Sequence, residues 1–105
     1  MGVGPWAAIP KLFEKTGITK DQVDVFEINE AFASQCVWCV EELGLDKKKV
    51  NPRGGAIAFG HPLGATGARQ VATILSEMKD EGWKVGVTSM CVGTGMGMAA
   101  LWVRE

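Results

Sequence analysis

His61 is the single histidine of the chain, set between Gly60 and Pro62. It lies in the stretch Asn51-Pro52-Arg53-Gly54-Gly55-Ala56-Ile57-Ala58-Phe59-Gly60-His61-Pro62-Leu63-Gly64-Ala65-Thr66-Gly67-Ala68-Arg69. An imidazole is the side chain best suited to moving a proton near neutral pH. Isolated histidines are often structural, but glycine before, proline after and a helix start just beyond make this one a candidate site residue. A helix opening near Thr66 would aim its free N–H groups back toward the ring. The neighbouring glycines let backbone approach backbone, or a ligand, where a Cβ would collide.

Two other turns carry groups that could work with it. Cys91 ends a strand-like run and enters Gly93-Thr94-Gly95-Met96-Gly97, so its thiol can be exposed beside free backbone N–H groups. Such N–H groups can bind an oxyanion. Asn29 with Glu30 marks a further strand-to-helix turn, where an amide can hold a water or a carbonyl. All three polar groups are predicted at the ends of consecutive strands, and in open α/β sheets that edge is where ligands bind.

Other motifs give way to plainer readings. The glycines of Gly93–Gly97 suggest a dinucleotide loop, but that fingerprint needs a following helix and strand, and only eight residues remain. No Gly-Lys-Ser/Thr occurs, which removes the phosphate loop of nucleotide hydrolases. Cys36-Val37-Trp38-Cys39 has redox spacing yet lies in mid-helix on an apolar stripe, as buried structural cysteines do. No second ligand pair completes a zinc site. Lys47-Lys48-Lys49 reads as solvated surface, with an anion contact as the minority alternative.

The elements that must position these groups follow from periodicity. Residues 6 to 15 predict a short helix preceded by Pro5, with Pro10 confined to its first turn and Gly17 as the stop. Thr19 and Gln22 have capping-box spacing. Val23–Ile28 has strand composition. A helix is expected from about Glu30 to Leu43, with Phe32, Cys36, Cys39, Val40 and Leu43 on one stripe. Next comes a strand-like run within the His61 stretch. A helix of about Thr66 to Asp80 follows, with Ala68, Val71, Ala72, Leu75 and Met78 as its stripe. Strands at Lys84–Met90 and Met98–Val103, joined by a tight glycine turn, predict an antiparallel hairpin. The order α-β-α-β-α-β-β predicts an α/β fold with a mixed sheet covered by helices.

Composition fits one folded unit of 105 residues: 47% hydrophobic, net charge −1. The balance is too neutral to suggest nucleic acid, and apolar runs stay short of the ~18–20 residues of a membrane span. Three cysteines suit a reducing compartment better than a disulfide scaffold. Met1-Gly2-Val3-Gly4-Pro5 reads as mid-protein loop, so a piece of a longer protein is expected.

Asn29-Glu30-Ala31-Phe32, Gly55 to Arg69 and Cys91 to Gly97 together resemble the three C-terminal signatures of the thiolases, in order and at similar spacing. The run Phe26 to Gln35 most resembles the peroxisomal 3-ketoacyl-CoA thiolases. The resemblance implies that residues 1–105 are a thiolase C-terminal domain lacking its first strand, expected to be central in the sheet, and the whole N-terminal domain. It implies acyl transfer between 3-ketoacyl-CoA and coenzyme A, by thiolytic cleavage or the reverse condensation. In these roles His61 activates a nucleophilic thiol and donates to a thioester oxygen, while Asn29 holds the water completing that oxyanion hole. Cys91 moves the second proton, and the backbone N–H of Gly93 helps bind the acyl-enzyme oxygen. Coenzyme A enters as substrate, with no resident cofactor or metal. The nucleophilic cysteine and most of the coenzyme A grip would lie upstream, so the chain alone is expected to be inactive and marginal as a monomer. A homo-oligomeric whole protein in the peroxisome is implied, with mitochondrion or cytoplasm as alternatives, since Val103-Arg104-Glu105 is no peroxisomal tripeptide. The competing readings are a non-catalytic binding or assembly module built on the same edge, and a ketoacyl-synthase-like enzyme. The pairing of Gly60-His61-Pro62 with Cys91-Val92-Gly93 argues against the second.

Overall fold

A computed structural model describes all 105 residues. Helix α1 spans Gly4–Thr16, strand β1 Val25–Ile28, helix α2 Ala33–Glu42 and the short helix α3 Ala56–Phe59. Helix α4 runs over Thr66–Asp80, and strands β2 and β3 cover Val85–Val92 and Met96–Val103. The sheet order is β1-β2-β3, with β1 parallel to β2 and β3 antiparallel to it. The expected α/β fold with a mixed sheet and a closing hairpin is present.

Three local expectations are corrected. The strand-like run before His61 is the helical turn α3, apart from a single parallel bridge between Val50 and Phe26. A four-residue apolar run carries too little periodicity to distinguish the two, and a carboxylate from another turn caps this one. Pro10 lies in the middle of α1 because that helix starts at Gly4 and takes in Pro5. The proline removes the hydrogen bond to the Trp6 carbonyl, and its exposed position leaves that carbonyl open to solvent. Phe32 sits just ahead of α2 and is 55% exposed, so it is not part of the buried stripe. Within the chain, β1, β2 and β3 hydrogen-bond in direct succession.

The main core lies on the face of the sheet covered by α1 and α2, where Ile9, Val23, Phe26, Ile28, Cys36, Val40, Leu45 and Val87 cluster. α4 covers the other face through Ile74 and Met78, packed on Val25 with Trp83 and Trp102 alongside. The expected bounds of α4 are correct, but its buried arc is different. Thr66, Gln70, Ile74, Glu77 and Met78 face inward, while Ala68, Ala72 and Leu75 are exposed. Gln70 reconciles its burial with its amide by donating to the carbonyls of Glu27 (2.9 Å) and Ser89 (3.1 Å), stitching α4 across β1 and β2.

Candidate active site

Parallel pairing of Ile28 with Ser89 brings the C-terminal ends of β1 and β2 to one rim. Asn29 follows immediately, its backbone N–H donating to the Ser89 carbonyl at 2.9 Å. Its side chain is fully buried. Cys91 lies two residues beyond Ser89, inside β2 and opposite Gly97. Cys91 is only 8% exposed, so the exposure that its place beside the glycine turn allowed is not realised. Its cover is the start of α1: a Cβ on Gly4 would stand 2.8 Å from Cys91 Cα and from the Met96 carbonyl oxygen. Only a glycine lets the helix terminus come this close to the strand.

The loop carrying His61 is held in place by residues that sequence reasoning did not single out. Asn51, at φ 47°, accepts from Ile28 N–H (2.9 Å) and donates to the Ile28 carbonyl (2.8 Å), imitating one rung of a strand. It also donates to Glu30 Oε1 at 3.0 Å, and Glu30 Oε2 accepts from the Ile57 N–H at 3.1 Å, capping α3. A Cβ on Gly55 would overlap this carboxylate, and Gly54 beside it stands at φ 88°. α3 ends at Gly60, at φ 89°, and the chain turns out to His61. The only sequence signal for Glu30 was its place beside Asn29.

His61 Nδ1 lies 2.6 Å from Thr66 Oγ1, at the first residue of α4. Asn29 Nδ2 lies 3.4 Å from both His61 Nδ1 and Nε2. Equal distances to the two nitrogens set the amide between their lone-pair directions, a packing contact more than an aligned hydrogen bond. The Asn29 Oδ1 atom is buried and has no protein donor. His61, Cys91 and Gly93 line one cleft of about 610 Å³ with Phe32, Leu63 and Met98. The four residues singled out in the sequence thus meet in one neighbourhood: Asn29 through His61, and the other three around the cleft. Its walls are mainly apolar, and its polar groups are few and convergent, as in small-molecule sites.

The remaining cysteines stand elsewhere. Burial, followed by the charges of Glu30, Cys39 and Glu27, pushes the Cys36 thiol up to about 11. Cys39 is fully buried and its thiol donates to the Gly2 carbonyl at 3.5 Å. The Cys36 thiol therefore lacks the thiolate character of a nucleophile. Behind the site, Arg69 Nη1 meets Glu27 Oε2 at 3.1 Å while its guanidinium lies 5.8 Å from the centre of the Phe59 ring, tying α4 to β1 and α3. Burial and the neighbouring Glu77 push the Glu27 carboxyl up to about 7.

A mixed α/β sheet thus carries an imidazole, a thiol and an amide gathered near one rim. The chain belongs to the thiolase C-terminal domain family, whose model, described as "Thiolase, C-terminal domain", matches residues 1–104. It is 67% identical over 105 residues to the peroxisomal 3-ketoacyl-CoA thiolase of Yarrowia lipolytica and 63% identical to that of Saccharomyces cerevisiae. The human peroxisomal enzyme is 62% identical over 102 residues. All of this chain matches the two yeast proteins but only 25% of either of them, so it spans about a quarter of their length. Its backbone superposes on the 2.8 Å structure of the Saccharomyces peroxisomal thiolase with a TM-score of 0.94, covering 100% of this chain and 30% of that one. That enzyme is described as five-layered, α-β-α-β-α, and built from two core domains of identical topology. The 1.8 Å structure of the dimeric Saccharomyces enzyme gives a TM-score of 0.92.

Proposed function

We propose that this chain supplies the His61, Cys91, Asn29 and Gly93 part of a peroxisomal 3-ketoacyl-CoA thiolase site, acting in fatty acid β-oxidation. The observation that carries this reading is the shared cleft of His61 and Cys91, with Asn29 packed on the imidazole. In the cleavage direction His61 accepts the proton of a nucleophilic thiol supplied by a segment outside these residues. The thiolate attacks the 3-keto carbon, and the oxygen's growing charge is met by fixed N–H donors, Gly93 among them. Breaking the bond between C2 and C3 leaves an acetyl-CoA carbanion, which takes its proton from Cys91. Cys91 then removes the proton of an incoming coenzyme A thiol, whose sulfur displaces the enzyme sulfur from the acyl group. In the same steps Asn29 holds the water that helps His61 polarise the thioester oxygen. Coenzyme A is a substrate here, and the chemistry calls on no metal.

The nucleophilic thiol is assigned to a segment outside these 105 residues, so alone they are expected to turn over no acetoacetyl-CoA. The five-layered relative suggests why α4 is apolar on both sides: a helical layer between two sheets must pack against each. The dimeric state of the Saccharomyces enzyme makes a homo-oligomeric whole protein the natural proposal.

The test is a graft that replaces the corresponding quarter of the Saccharomyces thiolase with these 105 residues. The graft should cleave acetoacetyl-CoA, and His61→Ala or Cys91→Ser should each lower kcat/KM by at least about 10²–10⁴-fold. A folded graft without activity, or one indifferent to both substitutions, would overturn the reading.

A further inference from the structure

We infer that Thr66 is a positioning residue that selects the tautomer of His61, holding the neutral ring with its proton on Nδ1. The inference concerns the site proposed above and deepens that reading. Thr66 Oγ1 lies 2.6 Å from His61 Nδ1 and 3.2 Å from the carbonyl oxygen of Pro62. A hydroxyl has one proton to give, and a carbonyl oxygen can only accept. If the hydroxyl donates to Pro62, its oxygen is an acceptor toward the ring, and Nδ1 must carry hydrogen. Back-donation from a threonine to the carbonyl four residues earlier is a common arrangement at helical positions. Thr66 is the first residue of α4, which holds its hydroxyl within reach of both groups.

Burial makes the selection effective. Thr66 is 3% exposed, so solvent cannot replace its hydroxyl as the partner of Nδ1. The ring itself is exposed and lines the cleft with Cys91, and Nε2 is the nitrogen that Thr66 does not touch. A ring protonated at Nδ1 presents a bare Nε2, which can accept a thiol proton and then donate to an oxyanion as imidazolium. The opposite tautomer would present an N–H there and could accept nothing. Thr66 therefore acts through His61 and touches no reacting atom. The opposing arrangement has the hydroxyl donating to a bare Nδ1. It is geometrically open, because the Pro62 carbonyl already accepts from the N–H groups of Ala65 (3.1 Å) and Thr66 (3.2 Å).

The single histidine makes the decisive measurement simple, since its two ring nitrogens are the only imidazole signals of the chain. Long-range ¹H–¹⁵N correlation spectra of the ¹⁵N-labelled 105-residue chain are recorded at alkaline pH, where an imidazole is neutral. The wild type and Thr66→Ser should give a protonated Nδ1 and a bare Nε2, while Thr66→Val should shift toward protonated Nε2. A bare Nδ1 in the wild type overturns the inference, as does a Thr66→Val spectrum unchanged from wild type. The grafted thiolase gives a second readout independent of how well the isolated chain folds. There Thr66→Val should lower kcat on the order of 10²-fold with KM little changed, and Thr66→Ser should stay within about threefold of wild type. Equal loss in both variants, or in neither, counts against tautomer selection. An inactive wild-type graft would instead defeat the proposed function, while the spectra would still decide the role of Thr66.

Discussion

At the scale of single residues, two kinds of polar group are buried in this chain. Thr66 and Gln70, with the half-buried Glu30 and Asn51, place their hydrogen bonds on neighbouring turns and strands, and so hold the rim in shape. Glu27 and Glu77 are different, since both are fully buried in one coupled cluster with Arg69, and both Glu77 oxygens lack a donor. Burial first, and then the charge of Glu77, moves the Glu27 carboxyl from 4.5 to about 7. Burial likewise raises Glu77, against the opposing pull of Arg53 and Arg69. A carboxyl whose folded-state value is raised binds its proton more tightly when folded. Its contribution is therefore complete below about 4.5 and lost as the pH climbs toward about 7. Glu77→Gln keeps the shape and removes one of the two charges. It should stabilise the chain by about 1–2 kcal/mol at pH 8 and by little at pH 5. Urea unfolding of both proteins at the two pH values measures this. An equal effect at both would place the cost elsewhere than in ionisation.

Elements show where composition was informative and where it was not. The antiparallel hairpin was legible because Gly93-Thr94-Gly95 leaves room for nothing but a tight turn, with Thr94 at φ 66° and Gly95 at φ 80°. The bounds of α4 were legible from Thr66 and Gly82, yet its inward face was not, since a helix with two apolar arcs gives no sign of which one its own sheet takes. The nature of α3 was hidden for a different reason: its cap comes from Glu30, more than twenty residues away. Asn29, His61 and Cys91 could be read as a site because each sits at a turn. The supports of His61 could not, because Thr66 and Asn51 look like ordinary turn residues until the chain folds. The glycines of the last turn also have a role that a dinucleotide reading missed. A Cβ on Gly97 would collide with the backbone of Gly4, where α1 crosses the hairpin. Neither partner is a side chain that can rotate away. Gly97→Ala should therefore cost about 2–3 kcal/mol. Gly86→Ala should cost less, since its new methyl would meet Ile74 Cδ1 and Met78 Sδ, which have rotamers to spare. Urea midpoints order the two, and a reversed ranking would mean that α1 is held more loosely than its packing implies.

For the whole molecule, the question is what the chain leaves uncovered. Only 26 of 105 residues are buried, which is a small core for a domain that must order fourteen glycines. The exposed apolar side chains include Leu75 on the outer arc of α4, and Leu63 and Met98, which line the cleft. A helix with its second apolar arc in solvent has the form of a middle layer awaiting its other sheet. Leu75 distinguishes this from ordinary surface, because at 48% exposure it is half free in the isolated chain. Leu75→Asp should change the stability of the 105-residue chain by no more than about 0.5 kcal/mol, as for most surface substitutions. In the grafted thiolase the same aspartate would be sealed between layers without a partner charge. There it should cost at least about 3 kcal/mol and lower both melting temperature and recoverable activity. Paired urea and thermal unfolding of the two proteins make the comparison. A graft that tolerates Leu75→Asp as well as the free chain does would mean that nothing covers the outer face of α4, and the layered reading of the assembly would fail with it.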